Sequence, residues 1–192
     1  MTKLSIIIGL LLQIVLCQTS QLNSASQKVI ESYEQLKLNP NDNNTQLNYI
    51  KSFPQNWTAF LNVFQPHDLK QLYPKYFEYI GVLDSIQVNY PKEVGTLLIK
   101  LAINAKWDAD ATGDIQHILA SFAASKTFIF SKLLSKRTAS EKQNVIKYLA
   151  DVENHDSYSE YQTIITTLKT IKQYQLAKRF EDSRQLRMKK EH

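Results

Sequence analysis

Apolar residues recur three and four positions apart over most of this chain, and that spacing predicts helices. The clearest stretch is Leu97 to Phe122, which reads as an apolar helix, a short polar interruption and a second amphipathic helix. It predicts a helical hairpin. Before it, a first helix is expected from Gln27 to about Leu38, with Val29, Ile30, Tyr33 and Leu36 on one stripe, ended by the Pro-Asn-Asp run at 39–44. Leu47 to Phe53 forms a short helix stopped by Pro54, and Trp57, Phe60, Leu61 and Phe64 then share one helical face. Pro66, Pro74 and Pro91 stand where helices begin, because proline at the first helical position loses no hydrogen bond. Helices are therefore expected from Pro74 to about Val88, with Tyr76, Phe77, Ile80 and Leu83 on the apolar side, and from Pro91 to Ala105.

Downstream, Thr138 to Glu141 and Ser157 to Glu160 have the capping-box form, in which a hydroxyl and a carboxylate satisfy free N–H groups at a helix start. They predict a helix from about Ser140 to Val152 and one long helix from Tyr158 onward. The last residues, from Arg179 to His192, lose the apolar period and are expected to fray. Apolar-Ile-Lys triplets recur at Tyr49-Ile50-Lys51, Leu98-Ile99-Lys100 and Val145-Ile146-Lys147, each followed by a second apolar face. Paired helices with a period of about 40–47 residues are the mark of HEAT-like or armadillo-like stacks. The expected fold class is thus all-α, stacked antiparallel helical hairpins in an α-α superhelix.

The N-terminus changes the picture of where the protein works. Lys3 followed by the apolar run Leu4 to Leu16 has the form of a signal peptide, too short to cross a bilayer, which takes about 20 residues. Residues 1–17 are read as the signal, 18–26 as a polar spacer, 27–178 as one helical domain and 179–192 as a basic tail. Ile14-Val15-Leu16-Cys17 resembles a bacterial lipobox, with Leu16 where that motif has a small residue, so lipidation of Cys17 stands beside ordinary cleavage after Cys17 or Ser20. The expectation is an exported protein: periplasmic, envelope-attached or extracellular, with any membrane attachment through a Cys17 lipid. Asn43 and Asn56 each head an Asn-x-Thr triplet, an acceptor only in a eukaryote, whereas the Lys, Asn, Ile and Gln bias favours a bacterium.

Composition narrows the chemistry. Cys17 is the single cysteine, so the mature domain has no disulfide, thiolate nucleophile or cysteine metal ligand and must hold together by burial. Ten Tyr, eight Phe and two Trp supply that burial, while four Gly leave no glycine-rich phosphate loop. The formal charge of +5 is concentrated between Lys169 and Lys190, where eight basic residues face Glu181 and Asp182. A nucleic-acid partner is not expected, since the remainder of the domain is near neutral.

The densest group of potential ligands lies inside the opening hairpin, Trp107-Asp108-Ala-Asp110-Ala-Thr112-Gly113-Asp114 through His117. As a calcium loop it starts well and fails at its twelfth position, where Leu119 replaces the bidentate acid. Helical phase explains it otherwise: with the second helix starting near Asp108, Trp107, Ala111, Ile115, Ile118 and Phe122 face inward and Asp110, Asp114, His117 and Ser121 outward. Asp110, Asp114 and His117 remain the candidates for a metal, although such a site needs about four ligands. Glu153, His155 and Asp156 form a smaller polar group in a turn. No Gly-x-Ser-x-Gly elbow or other nucleophile signature occurs. No catalytic residue and no cofactor are expected. The functional expectation is binding of a protein or peptide along stacked hairpins; the alternative is a small helical envelope hydrolase cleaving cell-wall glycan with paired carboxylates such as Asp108, Asp110 or Glu153.

Overall fold

A computed structural model describes residues 23–65, 72–106, 110–151 and 158–189. The signal segment and Cys17, the acids Asp108 and Glu153, and the second expected capping residue Ser157 lie outside them. Among the described residues the chain is all helix, with ten α-helices, one short 3-10 turn and no strand.

At the helices that start at Ser24, Asn43, Trp57 and Ala139 a side chain meets the free N–H groups of the first turn. Helix α1 (Ser24–Leu38) starts three residues earlier than its apolar stripe indicates, because the Asn23 side chain accepts from the Ser26 N–H at 2.7 Å. Ser26 is buried, so the expected spacer ends before it. Asp42 caps α2 (Asn43–Ser52) through the Thr45 N–H, and Asn56 caps α3 (Trp57–Phe64) through the Ala59 N–H. After the 3-10 turn Tyr73–Lys75 come α4 (Tyr76–Ile86), α5 (Pro91–Ala102), α6 (Ala111–Ser125) and α7 (Thr127–Ser135). The last three are α8 (Ala139–Ala150), α9 (Tyr158–Thr170) and α10 (Tyr174–Met188).

The capping box at α8 is present in both directions. Thr138 Oγ1 accepts from the Glu141 N–H at 3.2 Å, and the Glu141 carboxylate accepts from the Thr138 N–H at 2.8 Å. The Thr138 backbone bond first, and its hydroxyl second, hold the Glu141 carboxyl below its ordinary value of 4.5. A depressed folded-state value means this stabilisation is present above the ordinary pKa and lost as pH falls through the folded one. Thr138→Ala is therefore expected to cost about 1 kcal/mol at neutral pH. In urea unfolding, the difference between wild type and Glu141→Gln should close as the pH is lowered to about 3.

One helix expected from Tyr158 onward is in fact two. Lys172 adopts φ 61°, its N–H bonds to the Lys169 carbonyl at 3.0 Å, and the Gln173 N–H bonds to the Leu168 carbonyl at 2.8 Å. That is a left-handed helix end of the Schellman kind, which glycine usually signals and lysine here conceals. The basic tail is corrected as well. It continues as α10 to Met188, with Ala177, Phe180, Ser183 and Arg184 buried.

Helix α6 stands at the centre, packed by α4, α5, α7, α8 and α9, while α10 covers α8 and α9. The hairpin α5/α6 exists as read, and Ile50, Ile99 and Ile146 are all buried. α9, however, packs chiefly on α10 and α6. α1, α2 and α3 form the other end, around an aromatic cluster in which Phe53 stacks on Phe64 at 5.5 Å and Tyr33 meets Tyr79 edge-on at 4.8 Å. Trp57 reaches across to Tyr148 of α8 at 6.3 Å.

Buried tyrosine hydroxyls fasten these helices. Tyr49 Oη donates to the Tyr79 carbonyl at 2.5 Å, Tyr148 Oη to the Thr112 carbonyl at 2.6 Å and Tyr161 Oη to the Phe180 carbonyl at 2.7 Å. A buried hydroxyl without such an acceptor would cost about 1–3 kcal/mol. Burial raises the Tyr49 and Tyr148 phenols well above their ordinary 10, so both stay protonated donors. The carbonyls at the end of α8 are met from two sides: Gln116 of α6 donates to the Tyr148 carbonyl and, at 2.8 Å, to that of Asp151, and Arg184 of α10 donates to that of Ala150 at 3.3 Å. Among the described residues no single helix is long and apolar enough to cross a membrane; α6 and α7 pass that test only as a pair, bent by 108°.

Candidate functional site

Helix α4 packs on α6, and the Tyr73 hydroxyl before α4 meets Asp110 at the start of α6. The buried side of α4 is Tyr79, Ile80, Leu83 and Ile86, which turns Phe77 outward and corrects its expected place in the core. Phe77 is 58% exposed. Beside it, the 3-10 turn stacks the Tyr73 ring on Tyr76, with centroids 5.7 Å apart and planes at 27°, and Tyr76 meets Phe77 edge-on at 6.1 Å. Three aromatic rings thus stand in a row at the surface.

The acids predicted on the outward stripe of α6 meet this row. Tyr73 Oη donates to Asp110 Oδ2 at 2.5 Å. Asp110 holds φ 65° and ψ −129°, a conformation that favours glycine. Asp114 is half-buried in the next turn, and burial foremost, with the Asp110 charge also acting, raises its carboxyl above the ordinary range while His117 opposes the rise. The Tyr76 phenol is raised too, by burial and then by the charges of Asp114 and Asp110. His117 is exposed.

Asp110, Asp114 and His117 therefore share the outer side of one helix end, and no three His, Cys, Asp or Glu side chains among the described residues group closely enough to hold a metal ion. In the stretch considered as a calcium loop, Gly113, Asp114 and Ile115 lie within α6, and Leu119 is buried in the core. Trp107, Asp108, Glu153, His155 and Asp156 fall outside the described residues. What the periodicity did not indicate is the contribution of Tyr73, Tyr76 and Phe77. Their cue was the aromatic spacing around Pro74, which also fits a core stripe.

Chemically the surface offers π-faces beside two carboxylates, an arrangement suited to a cationic group flanked by apolar surface. The strain at Asp110 gives a direct check. Asp110→Gly removes a backbone conformation that costs about 1–3 kcal/mol and loses the Tyr73 hydrogen bond, worth about 1 kcal/mol. Thermal unfolding is expected to show the variant unchanged or stabilised.

A second concavity lies between α8 and α10, a cleft of about 430 Å³ lined by Lys147, Ala150, Asp151, Ser183, Leu186 and Arg187. Arg187 Nε stands 2.5 Å from Asp151 Oδ1 across it. Among the described residues its lining carries one carboxylate, that of Asp151. Compared with models of known protein families, with curated proteins and with solved structures, the chain matches none of them.

Proposed function

We propose that the protein is exported and works by binding a protein or peptide through the surface of Tyr73, Tyr76, Phe77, Asp110 and Asp114. The observation that carries this reading is the exposed Phe77 beside a stacked tyrosine pair whose Tyr73 hydroxyl donates to the Asp110 carboxylate, with Asp114 one turn further along α6. Aromatic anchors with a charged rim are how interfaces concentrate their energy. The partner is then a segment presenting a lysine or arginine next to an apolar side chain. Export rests on Lys3 and the run Leu4 to Leu16, with lipid attachment or cleavage at Cys17. A HEAT-like or armadillo-like stack would be the finer form of the fold; the α5/α6 hairpin and the buried Ile50, Ile99 and Ile146 speak for it, and the five neighbours of α6 speak against a one-dimensional array.

The test is retention of a partner from envelope extracts on the immobilised domain, compared with Phe77→Ser and with Asp110→Ala. A specific partner should be lost by at least about tenfold from both variants, as expected for removal of an anchor worth more than about 1.4 kcal/mol. Equal retention by all three proteins would end the assignment to this surface.

One observation favours a second reading, hydrolysis of cell-wall glycan. Asp110 is exposed and Asp114 one turn on is half-buried, where burial raises its carboxyl, and two acids in unlike surroundings are how acid and base roles are divided. Turnover of glycan by the purified protein, abolished in Asp114→Asn, would establish it.

A further inference from the structure

We propose that the open surface cavity between α7, α8 and the start of α10 binds a small tetrahedral oxyanion, phosphate or sulfate, either free or as a monoester. This inference is independent of the aromatic surface around Tyr73. The cavity measures about 160 Å³ and is lined by Ser131, Ser135, Lys142, Gln173, Gln175 and Arg179 with two leucines. A water needs about 10–15 Å³ by the same measure, so an oxyanion with part of its hydration shell fits.

Charge decides the ligand. The lining holds two cations and no carboxylate. Among the described residues neither Lys142 nor Arg179 has an ion-pair partner. The nearest acids along α10 are already engaged, Glu181 with Lys169 at 2.6 Å and Asp182 with Lys178 at 3.1 Å. Two like charges lining one cavity repel each other, and an anion between them turns that repulsion into attraction. Arginine supplies a planar fork that matches two oxygens of a phosphate, and lysine a point charge for a third. The helix start adds to the two cations: Gln173 makes no side-chain cap, no acid occurs in the first turn of α10, and Gln175 and Leu176 of that turn line the cavity. The Ser131 and Ser135 hydroxyls currently donate to the carbonyls of Phe128 and Lys132, and each is able to rotate toward an anion.

The experiment is a titration of the full chain with sodium phosphate, sodium sulfate and O-phosphoserine at constant ionic strength, following the backbone amide signals of Gln175 and Leu176. Saturable shifts are expected. Lys142→Gln and Arg179→Gln should each weaken the affinity at least about tenfold, because each removes a charge-assisted contact. Lys178→Gln, which lowers the net charge equally away from the cavity, should stay within about twofold of wild type. Tighter binding of O-phosphoserine than of phosphate assigns the site to a monoester, and equal or weaker binding assigns it to the free ion. Absence of a saturable shift overturns the proposal, as does a Lys178→Gln effect equal to that of the two cavity variants. Lys142 and Arg179 are at the surface, so circular dichroism melts of these variants should match wild type and separate loss of binding from loss of fold.

Discussion

Phe122→Ala is expected to destabilise the protein by about 3–5 kcal/mol, the cost of a fully buried phenylalanine in a core that closes only partly around the cavity. Phe122 sits on α6, which five helices pack, and its ring fills a recess over Gly95 of α5. A methyl group at Gly95 would meet Phe122 Cζ at 2.3 Å and Leu133 Cδ1 at 2.9 Å. Glycine is therefore required there by close approach of side chains, although it costs the helix about 1 kcal/mol against alanine. Gly95→Ala alone should be destabilising by about 1–3 kcal/mol through overpacking. In the Phe122→Ala background the same change should be neutral or stabilising by up to about 1 kcal/mol, since the ring that blocked it is gone. Urea denaturation of the four proteins measures the coupling. Additive effects would mean that the ring and the glycine do not meet.

Ending the chain after Ala177 is expected to abolish cooperative unfolding, whereas removal of a frayed tail would leave stability unchanged. Phe180 is fully buried, its ring lies 5.3 Å from Tyr161 and 6.3 Å from Phe130, and its carbonyl accepts the Tyr161 hydroxyl. Arg184 is 3% exposed and donates to the Ala150 carbonyl at the end of α8. Truncation removes these groups together and opens α8 and α9 to water. Phe180→Ala alone should cost about 3–5 kcal/mol in the same assay. An unchanged melting curve for the truncated chain would return α10 to the status of a tail.

The helix positions are legible where the apolar spacing is strong. Val29 and Leu36, Trp57, Phe60 and Phe64, Ile115, Ile118, Leu119 and Phe122, and Tyr161, Ile164, Ile165 and Leu168 are buried as their spacing indicates, while Ile30, Tyr33 and Leu61 on the same stripes are half-buried against the core. Thr138 and Glu141 announced α8 because their hydrogen bonds are local. Where the signal was not local, the reading failed. Phe77 has the same apolar character as Ile80, and only the angle at which α4 meets α6 turns it to solvent. α10 carries so many charges that its moment is weak, yet Phe180 and Arg184 find partners on α8 and α9 that no spacing along α10 could indicate.

Sequence alone determined the class: a cysteine-poor, aromatic-rich chain with few glycines and a period near 3.6 has one economical way to bury its apolar surface, as packed helices. It also placed His117 on the outward side of α6, because helical phase depends only on counting residues, whereas Asp114 is half-buried and Asp110 precedes the helix at φ 65°. Tertiary structure decided which helices meet, that α6 rather than a row of equal hairpins forms the centre, and that Tyr73 reaches Asp110 while Lys142 and Arg179 share one cavity. Those pairings join residues more than thirty positions apart. They are set by the fit of whole faces, such as Phe122 over Gly95, and that fit is a property of shape in three dimensions.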